Sequence, residues 1–199
     1  MHFHAPAILV ATRQHGETAV IARLLLRDSG LVAAYVAGGR GRQLRPVMIP
    51  GNRLDAEIRA KSHNQLPFAR LELVSSRGPW LSEPLPAAAI AWVCALTASV
   101  LPERNPYPAL FDALGGLLDA ICQAPSARGW VPALAHYEIL LLREMGYGGE
   151  RPEIAGLGHA LEILDQIEPK IARYLLADTR SDVLAARYLL RERLARMIE

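Results

Sequence analysis

The apolar residues of this chain change their spacing once, at Arg77-Gly78-Pro79-Trp80, and that change limits what the chain can fold into. Before it, short runs rich in Val, Ile, Leu and Tyr alternate with turn-forming residues, which is typical of an all-β unit. After it, apolar residues recur at helical spacing. The pattern predicts two domains, residues 1–78 and 79–199, in a chain long enough to bury a sizeable core.

The first domain is predicted to contain five strands. Turns at residues 14–17 and 28–30 join the first three strands as hairpins, because Gly accepts positive φ and Asp or Ser bonds nearby backbone. So many short strands in one small unit favour a closed barrel of the OB-fold type. The predicted strands are residues 7–13, 18–27, 31–37, 53–61 and 69–76.

The second domain is predicted to be helical throughout. Proline is tolerated in the first turn of a helix and ends a helix that precedes it, so the prolines of this half mark boundaries. Gly146 is predicted to end the third helix in a left-handed conformation. The predicted helices are residues 86–101, 108–124, 131–145, 159–167, 169–176 and 181–198.

Charge is distributed unevenly along the chain. Residues 1–80 carry 11 Lys+Arg against 5 Asp+Glu, net +6, whereas residues 81–199 carry 11 against 15, net −4. The basic half therefore coincides with the predicted barrel. No apolar run reaches the roughly 18 residues of a membrane span, and the N-terminus lacks the pattern of a secretory leader. A cytoplasmic protein without membrane contact is expected.

Catalytic and metal-binding motifs are scarce. The sequence has no Walker loop, G-x-S-x-G or H-E-x-x-H, and its glycine cluster does not complete G-x-G-x-x-G. Cys94 and Cys122 each lie inside an apolar helical pattern, which predicts buried, reduced thiols. His2 and His4 could share one strand face and bind a metal, but histidines near a terminus are more often solvated. We therefore expect no enzyme, no cofactor and no bound metal.

The stretch VAGGRGRQLRPVMIPGN, residues 36–52, interrupts the predicted strands and contains no Asp or Glu. Its glycines would let backbone amides approach a ligand, and its arginines offer planar donor forks suited to phosphate oxygens. OB barrels bind nucleic acids with such loops beside a strand face that carries aromatic rings. The predicted contacts are Arg40, Arg42 and Arg45 first, then Arg13, Arg23, Arg59 and Lys61, with Tyr35, Phe68 and Trp80 as stacking rings.

Two other interpretations stay open at this point. One is an RNA-binding OB module with a helical appendage, which a preference for DNA and strand annealing would argue against. The other is a protein-interaction scaffold whose basic loop is only solvated, which salt-dependent binding of oligonucleotides would argue against.

The order and spacing of several short motifs resemble the bacterial recombination mediator family RecO, over nearly the whole chain. Each motif is short, and it is their sequence along the chain that is specific. The motifs are Ala7-Ile8-Leu9-Val10, Gly16-Glu17-Thr18, Gly38-Gly39-Arg40, Met48-Ile49-Pro50-Gly51-Asn52, Leu101-Pro102-Glu103, Tyr137-Glu138 and Met145-Gly146-Tyr147-Gly148.

The resemblance implies an OB-fold barrel followed by a helical domain. It further implies binding to single- and double-stranded DNA and annealing of complementary strands, without a nucleotide cofactor. RecR and the C-terminal tail of single-stranded-DNA-binding protein are the implied partners, in a nucleoid-associated role that loads RecA onto coated single strands in the RecF pathway.

Two departures from the family concern metal and phosphate. Many members carry a zinc module with cysteines after the Gly-Tyr-Gly segment, but no cysteine follows Cys122 here, so a bound zinc is not expected. Gly38 stands where the family usually has a lysine before the loop glycine. The phosphate role is therefore expected of the loop arginines.

A third departure concerns the partner tail. Family members often have an arginine just before the Phe-Glu pair of the third helix, where this chain has Ala135-His136. This departure counts against the family's own tail site. A separate hypothesis is that the acidic tail binds a groove beside the third helix, with His136, Arg143 and Arg128 around an apolar floor.

Overall fold

The computed structural model describes residues 2–60, 62, 65–150, 152–177 and 182–197. Strands come first and helices follow, as predicted. The strands are β1 His2–His15, β2 Ala19–Leu26, β3 Gly30–Val36, β4 Arg53–Arg59 and β5 Phe68–Ser75. The helices are α1 Pro84–Val100, α2 Pro108–Gln123, α3 Val131–Glu144, α4 Gly156–Lys170 and α5 Asp182–Ala195, with 3-10 turns at Gly78–Ser82 and Ala127–Gly129.

The five strands close into a barrel in the order β1-β2-β3-β5-β4. β3 and β5 meet in parallel at Tyr35 and Phe68, and every other neighbouring pair is antiparallel. β1 begins at His2 rather than at residue 7, because residues 2–8 pair with β4 while residues 7–15 pair with β2. The predicted OB-fold class is confirmed, and the extra half of β1 is the difference.

Alternate residues of the barrel strands enter two separate cores. Leu9, Leu24 and Ile58 lie inside the barrel. Ile8 and Leu25 point outward and join the core formed by the helices. The two-residue period of a strand therefore buries one face in the barrel and the other under the helices.

Two arginines of β2 and its turn fasten the barrel to the helices. The half-buried Arg23 donates to the backbone oxygen of Ala98 at the end of α1. Arg27 donates two hydrogen bonds, of 2.9 and 3.2 Å, to the carboxylate of Asp112 in α2. Part of the positive charge of the first half is therefore hydrogen-bonded within the fold.

The C-terminal helices differ from prediction at one proline. Pro169 lies inside the last turn of α4 and does not begin a new helix. A π-helical turn, Ile171–Leu175, continues the chain, since a proline lacks the N–H that a regular helical turn requires. The predicted termini of the last helix, Ser181 and Ile198, lie outside the described residues. None of the described helices combines the length and apolar character needed to cross a membrane.

A buried polar network holds α1, α3, α4 and α5 together. Glu138 of α3 accepts from the indole of Trp92 at 2.6 Å and from Arg187 of α5 at 3.0 Å. Arg187 also donates to the Glu168 carboxylate and to the Leu164 carbonyl oxygen, each at 2.6 Å. Burial raises the pKa of Glu138 above its ordinary value, and Arg187 and Trp92 oppose that rise. The network therefore satisfies charges that would be costly if left single.

Arg187→Met should lower the free energy of unfolding by about 3 to 5 kcal/mol, because it leaves the Glu138 carboxylate buried without its cation. Adding Glu138→Gln should recover part of that loss. Arg196→Met, which breaks an exposed pair with Glu192 at the end of α5, is the matched control and should cost only about 0 to 1 kcal/mol. Urea denaturation measures all three, and equal losses for Arg187→Met and Arg196→Met would contradict the assignment.

Candidate nucleic-acid interface

The loop between β3 and β4 is folded into successive turns. The backbone amides of Leu44 and Arg45 donate to Gly41, and those of Val47 and Met48 donate to Leu44, at 2.9 to 3.2 Å. This short helical arrangement explains why residues 36–52 interrupt the predicted strands. The turns also fix where the arginine side chains leave the backbone.

Asn52 anchors the far end of the loop. This fully buried side chain donates to the carbonyl oxygens of Pro46 and Val47 at 2.8 and 3.1 Å and accepts from the Arg77 amide at 2.7 Å. The buried Arg77 donates in turn to Gly51 O and to the carboxylate of Asp119 in α2. The loop is therefore held against both the barrel and the helices.

The glycines of the loop serve the fold and not an open amide cradle. Gly38 has a φ of 66°, which favours glycine. A Cβ on Gly39 would lie 2.9 Å from the Val20 side chain. The amides of Gly39, Arg40 and Gly41 donate to carbonyl oxygens of the protein. The amides of Gly39 and Gly41 are therefore bonded within the fold and not open to a ligand, which leaves the arginine side chains as the accessible donors.

The three loop arginines are not equivalent. Arg40 donates to the Glu17 carbonyl oxygen in the β1–β2 turn at 2.8 Å, which places the loop against that hairpin. Arg42 and Arg45 are exposed, and the described part of the chain offers neither of them an ion-pair partner. Their guanidinium groups are therefore available to an anion.

A row of cross-strand partners runs past the start of this loop on the outside of the barrel. Partners directly opposite one another share a face of the sheet and lie about 5 Å apart. We call this set the outer row. Its members, one from each strand, are Arg13, Ile21, Tyr35, Phe68 and Arg59.

Aromatic rings meet in the middle of the outer row. Tyr35 and Phe68 have centroids 5.2 Å apart, and His15 packs edge-on against Tyr35 at 5.8 Å. Phe68 is 57% exposed, which is unusual for a ring of this size on a barrel that has a complete core. The rings offer exposed faces and edges on which a base could stack.

Of the rings predicted from the sequence, Tyr35 and Phe68 lie in the outer row and Trp80 does not, while His15 was not among them. His15 was interpreted only as part of a turn, and its position two residues after Arg13 on one strand was the available signal. Trp80 lies beside Leu85 and Trp130 among the helices, away from the barrel rings. Trp80 therefore plays no part in this surface.

The second set of predicted DNA-contacting residues does not lie on one surface. Arg13 and Arg59 lie at the two ends of the outer row, whereas Arg23 faces the helices and Lys61 lies outside the described residues. Arg59 donates to Glu57 through Nε at 2.8 Å. Hydrogen bonds from Arg59 first and His2 second lower the pKa of the Glu57 carboxyl, so Arg59 is partly neutralised. Arg13 has no ion-pair partner among the residues that the structure describes.

A second candidate surface is a groove between α2 and α3 with a volume of about 300 Å³. Its floor is apolar, and His136 and Arg143 are the residues on its rim that can carry positive charge. Two of the three residues predicted around this groove, His136 and Arg143, therefore line it. Arg128 is exposed in the Ala127–Gly129 turn and does not line the groove.

The cysteines do not fit the zinc module of the family. Cys94 and Cys122 are both unbridged and buried among the helices. Burial raises the pKa of the Cys94 thiol to about 12, which opposes formation of the thiolate that zinc requires. No structural zinc of the cysteine type can be assembled from these two thiols.

Comparison with known proteins connects both halves of this geometry to one family. Residues 1–77 match the family model described as recombination protein O N terminal, and residues 82–150 match recombination protein O C terminal. DNA repair protein RecO of Rhodospirillum centenum is 41% identical over 159 residues, which are 79% of this chain and 62% of that protein. The matched part thus spans less than two thirds of that relative's length.

The match covers a larger share of two further relatives. DNA repair protein RecO of Paracoccus denitrificans is 34% identical over 182 residues, 92% of this chain and 74% of that protein. The protein of the same name from Gluconacetobacter diazotrophicus is 34% identical over 176 residues, 87% of this chain and 69% of that protein. A barrel with an exposed basic and aromatic surface, the two matched domains and these relatives together show that the chain belongs to the RecO family of DNA repair and recombination proteins.

Proposed function

We propose that this chain binds single- and double-stranded DNA on the outside of its barrel, anneals complementary strands and acts with RecR to load RecA onto single strands coated by single-stranded-DNA-binding protein. Family membership supports the repair role. The observation that carries the DNA-binding part is a loop with two exposed arginines, Arg42 and Arg45, that follows the strand on which Tyr35 contacts the exposed Phe68 ring.

The two kinds of group would act differently on a strand. Guanidinium groups neutralise phosphates and release condensed counterions, which gives affinity that falls with salt. Exposed rings stack on bases without reading their sequence, because every base has an aromatic face. A surface with both is suited to hold single strands of any sequence, as annealing requires.

Stacking of bases on the exposed rings should contribute to the proposed binding of single strands more than to that of duplex. The bases of a duplex are already stacked on each other, so Phe68 can contribute to single-strand binding and little to duplex binding. Phosphates are present in both forms, so the loop arginines should contribute to both.

Arg42→Ala combined with Arg45→Ala should weaken binding to oligonucleotides of every sequence. The slope of log affinity against log salt should fall by about 0.7 per lost contact for single strands and about 0.9 for duplex. Fluorescence titration across salt concentrations measures both quantities. Arg40→Ala should weaken oligonucleotide binding less than Arg42→Ala or Arg45→Ala does, because the Arg40 guanidinium is already bonded to Glu17.

The matched control removes two exposed arginines from the helical half, Arg173→Ala with Arg196→Ala, and so makes the same change in net charge. If this control lowers the salt slope as much as the loop variant does, the loop is not the contact surface. The same titration with RNA distinguishes the RNA-binding alternative, and no salt-dependent binding of either nucleic acid would leave the scaffold alternative.

Phe68→Ala should weaken single-strand binding by about 1 to 3 kcal/mol for the loss of one stacked base. The salt slope should stay constant, because no phosphate contact is lost. Val74→Ala is the control, since Val74 is 62% exposed on the same strand and is not in the outer row. Equal affinities for Phe68→Ala, Val74→Ala and the unchanged protein would refute stacking on this row.

We also propose that the groove between α2 and α3 binds the acidic C-terminal tail of single-stranded-DNA-binding protein. The support is an apolar floor for the apolar end of the tail and two rim residues, His136 and Arg143, for its acidic part. His136 lies 3.4 Å from the carbonyl oxygen of Pro152, which holds the ring at the rim.

Arg143→Ala should weaken binding of a synthetic tail peptide by roughly ten-fold or more, the effect of losing a hydrogen bond to a charged group. His136→Ala should add to that loss, because its imidazole also lines the groove and can hydrogen-bond the acidic part of the tail. Arg128→Ala is the control, because Arg128 is an exposed arginine that does not line the groove. Fluorescence anisotropy measures the peptide, and unchanged affinity in an Arg143→Ala, His136→Ala double variant would place the tail elsewhere.

A further inference from the structure

Two histidines and a carboxylate meet on the outside of β1 and β4. His2 and His4 are two residues apart on one strand and so share a face, with ring centroids 5.8 Å apart. Glu57 is the direct cross-strand partner of His4. The Glu57 Oε1 atom lies 2.7 Å from His2 Nε2 and 3.8 Å from His4 Nε2.

The spacing of these side chains suits a metal ion. One ligand atom from each of the three lies within 4.8 Å of the other two. In a tetrahedral zinc site with bonds of about 2.0 to 2.1 Å, neighbouring ligand atoms are about 3.3 Å apart. The His2 and His4 side chains are 56% and 60% exposed, so their rings can rotate to bring the ligand atoms to the tetrahedral spacing. Glu57 is only 13% exposed and has less freedom to move.

The chemistry of these three side chains limits which metal ions could bind. Two imidazoles and one carboxylate are ligands of zinc and of related first-row divalent metals, whereas calcium and magnesium take oxygen ligands. A shallow cleft of about 220 Å³ lies beside the histidine pair and adds two further carboxylates, Asp55 and Glu72, with Arg70 as its cation. The surroundings therefore favour a cation.

We propose that His2, His4 and Glu57 form a surface site for Zn²⁺, with three protein ligands and an open position for water. This site revises the expectation that the two histidines are merely solvated and that the protein binds no metal. It is separate from the cysteines, and the barrel closes through backbone pairing without it. Metal at this site modifies the surface and does not build the fold.

Arg59 competes with the metal for the same carboxylate. Its guanidinium donates to Glu57 Oε1 through both Nε and Nη2. A cation bound to Glu57 weakens that ion pair and frees Arg59, which lies next to Phe68 in the outer row. Zinc and the Arg59–Glu57 pair are therefore alternatives.

Isothermal titration of the chelator-treated full chain with Zn²⁺ tests the site. We expect one equivalent to bind, and His4→Ala and Glu57→Gln each to weaken binding by at least about ten-fold, since losing even an outer-shell partner costs ten- to hundred-fold in such sites. Arg59→Gln should tighten binding by removing the competitor. His15→Ala, an exposed histidine at the other end of the same strand, should leave binding unchanged.

Circular dichroism melting of each variant confirms that the barrel is intact, so that a lost site is not confused with a lost fold. Failure of the unchanged protein to bind one equivalent of Zn²⁺ would overturn the proposal. Binding in His4→Ala or Glu57→Gln as tight as in the unchanged protein would overturn it too, because the ion would then lie elsewhere.

Discussion

The shared strand β1 is the constraint on which the rest of this structure depends. Its first half pairs with β4 and its second half with β2, and Ala7 and Ile8 belong to both pairings. The same strand places Leu9 in the barrel core and Ile8 and Val10 in the helical core. Because one strand closes the barrel and also carries the contact with the helices, neither domain can move against the other without disturbing both cores.

Bonding to protein carboxylates divides the arginines of the basic half into structural and available groups. Arg27 and Arg77 are bonded to carboxylates of α2, and a guanidinium held in this way would have to break that pair before it neutralised a phosphate. Arg42 and Arg45 extend from a loop whose backbone is held by Asn52. Net charge along the sequence therefore overstates the charge that a nucleic acid could meet.

The Tyr-Glu pair that helped to carry the family resemblance has a structural role. Tyr137 bonds the Thr97 hydroxyl at 2.6 Å, and Glu138 joins the buried network with Arg187. Successive residues of a helix lie about 100° apart around its axis, so the preceding residue, His136, reaches the rim of the groove. One turn of α3 thus contributes to the core and to a candidate partner surface.

The sequence was sufficient to predict the order of strands and helices, the OB-fold class and the approximate ends of α1 to α3, because periodicity and proline positions are local properties. It also located the loop arginines. The sequence could not show that His15 and Phe68 both contact Tyr35, that Arg23 faces the helices, or that Glu57 lies opposite His4. These contacts depend on the register between distant strands, and a shift of one residue would move every side chain to the other face of the sheet.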